Sequence, residues 1–163
     1  GGVATAEKAY TVAQGWLQES IVVLEKVGMP DVLGAALATA GYAAWGAGRW
    51  NQAREFLARA LHTAETTHSR GAFLLTLPGV ALLMIGCGEV EHAIELYALA
   101  TSHPLLATAR WFEDIAGRYI AEASAGLAPE LVSAAQDRGR ARDLDRTVQE
   151  ALDYFRDYLI PTL

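Results

Sequence analysis

Apolar residues recur at steps of three and four along most of the chain, the spacing of one face of an α-helix. Over 4–27 the stripe is Ala6, Tyr10, Ala13, Leu17, Ile21 and Leu24, and Val12, Trp16, Val23 and Val27 widen it. Such a breadth predicts a long helix covered on more than one side. Gly28 and Pro30 end it, and Asp31 suits the first turn of the next helix. A second helix over 32–45 is crowded with small residues (Gly34, Ala35, Ala36, Ala38, Ala40, Gly41, Ala43, Ala44), which let neighbouring backbones approach closely. A third over 51–67 places Ala53, Phe56, Leu57, Ala60, Leu61 and Ala64 on one face, with Arg54, Glu55, Arg59 and Glu65 opposite. A fourth over 70–85 carries Pro78 at its middle, which predicts a kink, because proline removes a donor and crowds the Leu74 carbonyl. A fifth covers 90–101 with Ala93, Ile94, Tyr97 and Ala100 inward, and His103-Pro104 breaks it. A sixth is expected over 106–125, a short one over 129–138 with Pro129 in its first turn and Gly139 as its stop, and a last amphipathic helix over 145–159.

The same pattern is written twice. Gly46, Gly48, Ala53 and Ala60 recur as Gly86, Gly88, Ala93 and Ala100, each at an offset of 40, and Gly126 continues the series weakly. A fixed period of 20–50 residues marks an array of supersecondary units. Running it backwards sets Ala13 against Ala53, so the first helix reads as the second half of a repeat whose first half is missing. The expected organisation is one all-α domain, a piece of a longer protein. It comprises a half-repeat over 4–27, repeats over 31–67 and 70–101, a degenerate repeat over 105–140 and a capping helix over 145–159, with about seven to eight helices.

Composition narrows the function classes. Of 163 residues 52% are hydrophobic and 20% charged, enough to bury a real core. The net charge is −6, and 111–163 hold ten Asp/Glu against six Arg, which argues against a phosphate-binding surface and hence against direct nucleic-acid contact. One cysteine, Cys87, rules out an internal disulfide framework and fits a reducing, cytoplasmic compartment. The longest apolar run, 72–86, falls short of the roughly 20 residues of a membrane span and contains Pro78, so no membrane partner is expected.

The spacing Gly41, Gly48, Ala53, Ala60 resembles the tetratricopeptide repeat: a small residue, a turn glycine, then two alanines in the second helix. The second copy has Ala81 in place of Gly41 and keeps Gly88, Ala93 and Ala100. The period of 40 departs from that repeat's usual 34, and Ala44 stands where an aromatic is common. Further on, His103-Pro104, then Leu127-Ala128-Pro129-Glu130-Leu131-Val132, then Ala134-Ala135-Gln136-Asp137-Arg138-Gly139-Arg140-Ala141 with Leu144 resemble a recurring ending. It is similar to the C-terminal tetratricopeptide region of large bacterial signalling NTPases and related LuxR-like or BTAD-type transcriptional regulators. The resemblance spans about residues 86–152. It implies a superhelical array of antiparallel helix pairs serving as a sensor or scaffold arm, and the NTPase itself is not here: the chain has no G-x-x-x-x-G-K-[ST] loop.

Candidate chemistry is sparse. His62 and Glu65 share a helical face, but His68 points elsewhere, so no metal site is expected. Glu89 and Glu91 follow Cys87 and disfavour a reactive thiolate there. Glu113-Asp114 are adjacent and diverge on a helix, so they form no acid–base pair. The arginines Arg138, Arg140, Arg142 and Arg146 interleave with Asp137, Asp143 and Asp145, a locally paired joint rather than a phosphate grip. No enzyme constellation and no cofactor is expected. If the hairpins stack as the resemblance implies, their first helices line a concave groove of Tyr42, Trp45, Leu75, Leu82, Ile85, Arg118 and Glu122, apolar with one charged end and suited to a peptide or a partner's helix. The expected function is a non-catalytic protein-interaction or sensor module of a larger bacterial signalling or transcription regulator, with other domains of the full-length chain among its partners. The alternative is a homo-oligomerisation module that pairs through its end helices, where Val12, Trp16 and Val23 want a cover.

Overall fold

The computed structural model describes residues 2–107 and 110–156, with side chains from Tyr10 onward except residue 11. Among the described residues there are eight α-helices, one π-helical segment and no strand. They are α1 (Gly2–Val27), α2 (Pro30–Gly46), α3 (Trp50–Thr66), α4 (Arg70–Gly86), α5 (Val90–Ser102), the π segment (Glu113–Gly117), α6 (Arg118–Ser124), α7 (Pro129–Ala141) and α8 (Leu144–Tyr154). Helices consecutive from α1 to α5 pack on one another, α2 also packs on α4, α7 lies along α5, and α8 folds back to touch α3. No helix among the described residues is long and apolar enough to cross a membrane.

The first five helices are metered by one turn used four times. Helices α2, α3 and α4 are each 17 residues long, and three-residue links join them. The link between α1 and α2 is two residues, and in all four links the second-to-last residue is left-handed: Gly28 (φ 72°), Gly48 (φ 71°), His68 (φ 51°) and Gly88 (φ 82°), at intervals of 20. Behind each, the next amide reaches five residues back, Met29 N–H to Leu24, Arg49 to Ala44, Ser69 to Ala64 and Glu89 to Met84, at 2.9–3.2 Å. That is the Schellman closure of a helix end, satisfying carbonyls that have lost their intrahelical partners. Open space surrounds the three glycines, so backbone conformation and not crowding selects them. The forty-residue period of the sequence is therefore two units of twenty.

Helices α2, α3 and α4 meet at one close-packed point. A Cβ on Gly41 would stand 2.6 Å from Leu57 Cγ, and one on Gly79 2.6 Å from Leu57 Cδ2. Leu57, wholly buried, is wedged between two bare backbones. Beside it Pro78 lies inside α4, as the sequence requires, and the helix runs on through it. The adjacent pair, Gly79 N–H and Leu75 C=O, which a regular helix would join directly, is bridged by the Tyr42 hydroxyl. That hydroxyl accepts from Gly79 N–H at 3.1 Å and donates to Leu75 C=O at 2.6 Å. A side chain inserted into the helical ladder is one of the few ways a helix is bent locally. Burial, first of all, pushes the Tyr42 hydroxyl well above its usual pKa and keeps it a donor, against the opposing pull of the Gly79 amide.

Three sequence expectations are corrected in the C-terminal part. The sixth helix does not run unbroken from 106: a turn occupies 103–107, and the next helical stretch has Trp111 and Phe112 α-helical and then turns π-helical over Glu113–Gly117. Gly139 does not stop α7, which continues to Ala141. It is where α7 crosses α5, since a Cβ there would lie 2.3 Å from the Glu95 carbonyl oxygen. Gly126 does not continue the turn series either, for among the described residues the left-handed positions end at Gly88. The last helix is described to Tyr154, and the rest of its expected span (157–159) lies outside the described residues.

This geometry sets two stability outcomes. His68→Gly relieves a left-handed conformation that costs an L-residue roughly 1–2 kcal/mol, offset in part by glycine's unfolded-state entropy, so the urea midpoint should rise by about 0.5–1 kcal/mol equivalent. Tyr42→Phe leaves a buried amide and carbonyl without their bridge and should lower stability by about 1–3 kcal/mol on the same measurement.

Candidate functional site

The groove foreseen in the sequence exists in part, and the chain fills much of it itself. Tyr42, Trp45 and Arg118 line one cleft of about 280 Å³ together with Tyr10, Leu17, Trp111, Ile115 and Tyr119. Leu82 is buried in the core and Leu75 and Ile85 pack against it. Glu122 is exposed and outside the cleft. What the sequence reading missed is the aromatic edge of the helical stretch that includes Trp111, Phe112 and Tyr119. Trp111 and Phe112 reach across to Tyr42 with ring centroids 5.9 and 6.1 Å away, both edge-on, while Tyr119 meets Trp45 at 4.5 Å. Trp50, from the start of α3, closes on Trp45 at 5.5 Å. The available signal was Trp111-Phe112 and Tyr119 spaced seven or eight apart, one face of a helix.

The cleft is apolar with two polar features. Trp45 Nε1 is buried and has no hydrogen-bond partner among the described residues, an uncommon state for an indole donor. Arg118 stands at the rim, its guanidinium 4.5 Å over the Tyr119 ring and bonded to the Tyr119 hydroxyl at 2.6 Å. The π segment makes this wall possible: its wider turn sits just after Trp111-Phe112 and rotates Arg118 and Tyr119 relative to a regular helix, and such insertions are frequent at functional sites. The arrangement can receive one apolar side chain beside the Arg118 guanidinium.

A second, more polar cavity of about 600 Å³ lies between α5, the π segment, α6 and α7. Tyr97 Oη and Glu113 Oε2 converge over Gly117, each 2.6 Å from where a Cβ would stand, so a side chain there would displace them. The Tyr97 hydroxyl is buried and meets no partner in good hydrogen-bond geometry among the described residues. Burial and then the neighbouring Glu113 carboxylate push its pKa up to about 12, so it stays protonated at neutral pH and can only donate or accept a hydrogen bond there. The cavity's other hydroxyls are occupied: Thr101 donates to the Tyr97 carbonyl, Ser102 to Leu99 and Ser124 to Ala121.

The arginine cluster proves to be a clamp between helices. Arg138 grips Glu95 Oε1 (2.7 Å) and Glu91 Oε2 (2.8 Å), Arg142 holds Glu95 Oε2 (2.6 Å) and Glu150, and Arg146 meets Glu150 at 3.1 Å. The interleaved aspartates are secondary: Asp137 pairs with Arg140, Asp143 caps α8 by accepting from Arg146 N–H, and Asp145 lies 3.9 Å from Arg70. The partners sit on α5 and α8, which periodicity alone does not bring near α7. Of the remaining candidates, His62 faces Glu65 at 3.8 Å, Cys87 is exposed with its sulfur 3.5 Å from the Tyr154 hydroxyl, and no described residues group as metal ligands.

Comparison with protein-family models, with curated proteins and with solved structures returned no match to this chain.

The clamp sets a pH response. Burial alone would raise the Glu95 pKa, but the hydrogen bonds from Arg138 and Arg142 outweigh it and hold the carboxyl below its usual value of 4.5. A carboxyl depressed in the folded state stabilises the fold fully above its unfolded pKa, and that contribution is lost as pH falls through the folded one. Glu95→Gln should therefore be less stable than the parent at pH 7, and the gap should narrow as urea midpoints are tracked below about pH 4.5.

Proposed function

We propose that this chain is a tetratricopeptide-like, non-catalytic interaction module of a larger bacterial signalling or transcription regulator, and that a partner peptide or helix inserts an apolar anchor into the aromatic cleft. The observation that carries the reading is the apolar cleft walled by Trp45, Trp111 and Tyr119 and bordered by Arg118, where the Trp45 indole N–H is buried without a partner among the described residues. A buried unpaired donor costs roughly 1–3 kcal/mol, a cost removed when an incoming carbonyl or carboxylate accepts from it. Aromatic side chains and arginine, which together make this wall, dominate the energetics of protein interfaces. The resemblance of the turn glycines, paired alanines and C-terminal motif to the tetratricopeptide arms of regulators points the same way.

The test is a phage-displayed random peptide library selected on the immobilised chain, with helix content checked by circular dichroism for each variant. Enriched peptides should carry an aromatic or large aliphatic anchor. Trp111→Ala, at a residue 43% exposed, should weaken them about tenfold or more, the loss expected at an interface hot spot. Trp45→Phe keeps a ring and removes the donor, and should weaken them several-fold, the worth of one hydrogen bond. Peptides that bind both variants as tightly as the parent would overturn the assignment.

A further inference from the structure

A box of aromatic rings is a common receptor for a cation, because the ring faces are electron-rich. The cleft has such rings in Tyr42, Trp45, Trp111 and Tyr119, but its cation is already supplied by the protein. Arg118 borders the cleft with its guanidinium 4.5 Å from the centre of the Tyr119 ring. A second cation on the same rings would meet that charge at close range, and no Asp or Glu among the described lining residues offsets it. Glu122, four residues on, is exposed and lies outside the cleft. The wall hydroxyls of Thr39, Tyr42 and Tyr119 are engaged: Thr39 donates to the Ala35 carbonyl, Tyr42 bridges Gly79 and Leu75, and Tyr119 accepts from Arg118. The charge that complements this cleft is therefore negative.

Arg118 is prepared for a carboxylate. Arg138 and Arg142 close on Glu95 at 2.7 and 2.6 Å, whereas the hydrogen bond of Arg118 goes to a phenol and it forms no ion pair among the described residues. Stacking on the ring and the bond to its hydroxyl hold the planar fork in place, so little side-chain freedom is lost when a carboxylate docks on the remaining N–H groups. The cleft, at about 280 Å³, takes one large side chain, so the carboxylate has to come from a residue beside the anchor. A segment laid across the cleft presents its side chains to the rim where Arg118 stands, while its terminus need not lie there. The net charge of −6 repels acidic partners in general, which confines the attraction to this point.

We propose that the partner segment is acidic: beside its apolar anchor it carries an Asp or Glu whose carboxylate pairs with Arg118. The proposal rests on the reading of the cleft as the docking site.

The experiment uses dipeptides blocked by an N-acetyl group and a C-terminal amide, which join phenylalanine to glutamate, glutamine or lysine in either order. Binding is read from the indole N–H signals of Trp45 and Trp111 in NMR titrations, assigned with Trp45→Phe and Trp111→Phe. The glutamate probe should bind about threefold tighter than the glutamine probe, the worth of a partly exposed ion pair, and the lysine probe most weakly. Raising the salt should narrow the gap, and in Arg118→Gln, a change at an exposed position, the three affinities should converge. Equal affinities of the three for the parent, or the lysine probe binding tightest, overturn the acidic partner and leave the cleft standing. A gap between glutamate and glutamine that persists in Arg118→Gln overturns Arg118 as the receiving group. A carboxylate preference shown only by N-acetylphenylalanine, where the group is terminal, overturns the side chain as its source. Indole signals unmoved by every probe at millimolar concentration overturn the cleft itself, and this assignment with it.

Discussion

Everything in the first half of the molecule depends on one backbone constraint, the left-handed residue that closes each helix at an interval of twenty. A Schellman end fixes where a helix stops and the direction in which the chain leaves it. When that end is repeated after helices of equal length, every second helix presents the same face to its neighbours. Leu57 can then sit between Gly41 and Gly79, residues thirty-eight apart, because the metering brings both bare backbones to the same height. The Tyr42 hydroxyl reaches the Gly79 amide for the same reason. Shift one turn by a residue and both contacts are lost together, since a helical face rotates by 100° per residue. His68 shows how strict the constraint is: the chain holds a side chain in the left-handed region there rather than change the turn.

The proline in α4 belongs to the same arrangement. Proline inside a helix strips a carbonyl of its partner and crowds the turn before it, at a cost of about 3 kcal/mol in isolation. Here the weakened turn admits a tyrosine hydroxyl from the preceding hairpin, which ties α2 to α4 by two hydrogen bonds at the point where glycines bring them nearest. A local defect in one helix becomes a specific link between two. A plain leucine-rich α4 would pack as well but would have no group to recognise Tyr42.

Much of the fold was legible because it is local. Periodicity and glycine placement gave the first five helices to within a residue or two, and the all-α class with them. The twenty-residue meter was hidden by His68, which carries no glycine to announce a left-handed turn. Beyond Pro104 the reading weakened for a physical reason: the chain there obeys contacts and no longer the repeat. Gly139 looks like a helix stop in sequence and is a close approach to Glu95 in space. The π segment has no reliable sequence mark. The cleft was half legible, since Tyr42, Trp45 and Arg118 are placed by the stacking of first helices. Leu82 went to the core and Trp111 and Tyr119 entered the cleft because the break at Pro104 and the π segment reorient the helical stretch that follows, and neither effect can be counted in residues.

The stretch after Pro104 also decides which surfaces remain free. In a regular array the inner face would stay open along its whole length. Here Trp111, Phe112 and Tyr119 close most of it and leave one small cleft, while the Glu91–Glu95–Arg138–Arg142–Glu150 clamp fastens α5, α7 and α8 on the far side. The C-terminal end of the stack is thereby covered from within the chain. Among the described residues of α1, Val12, Trp16, Val23 and Val27 face outward.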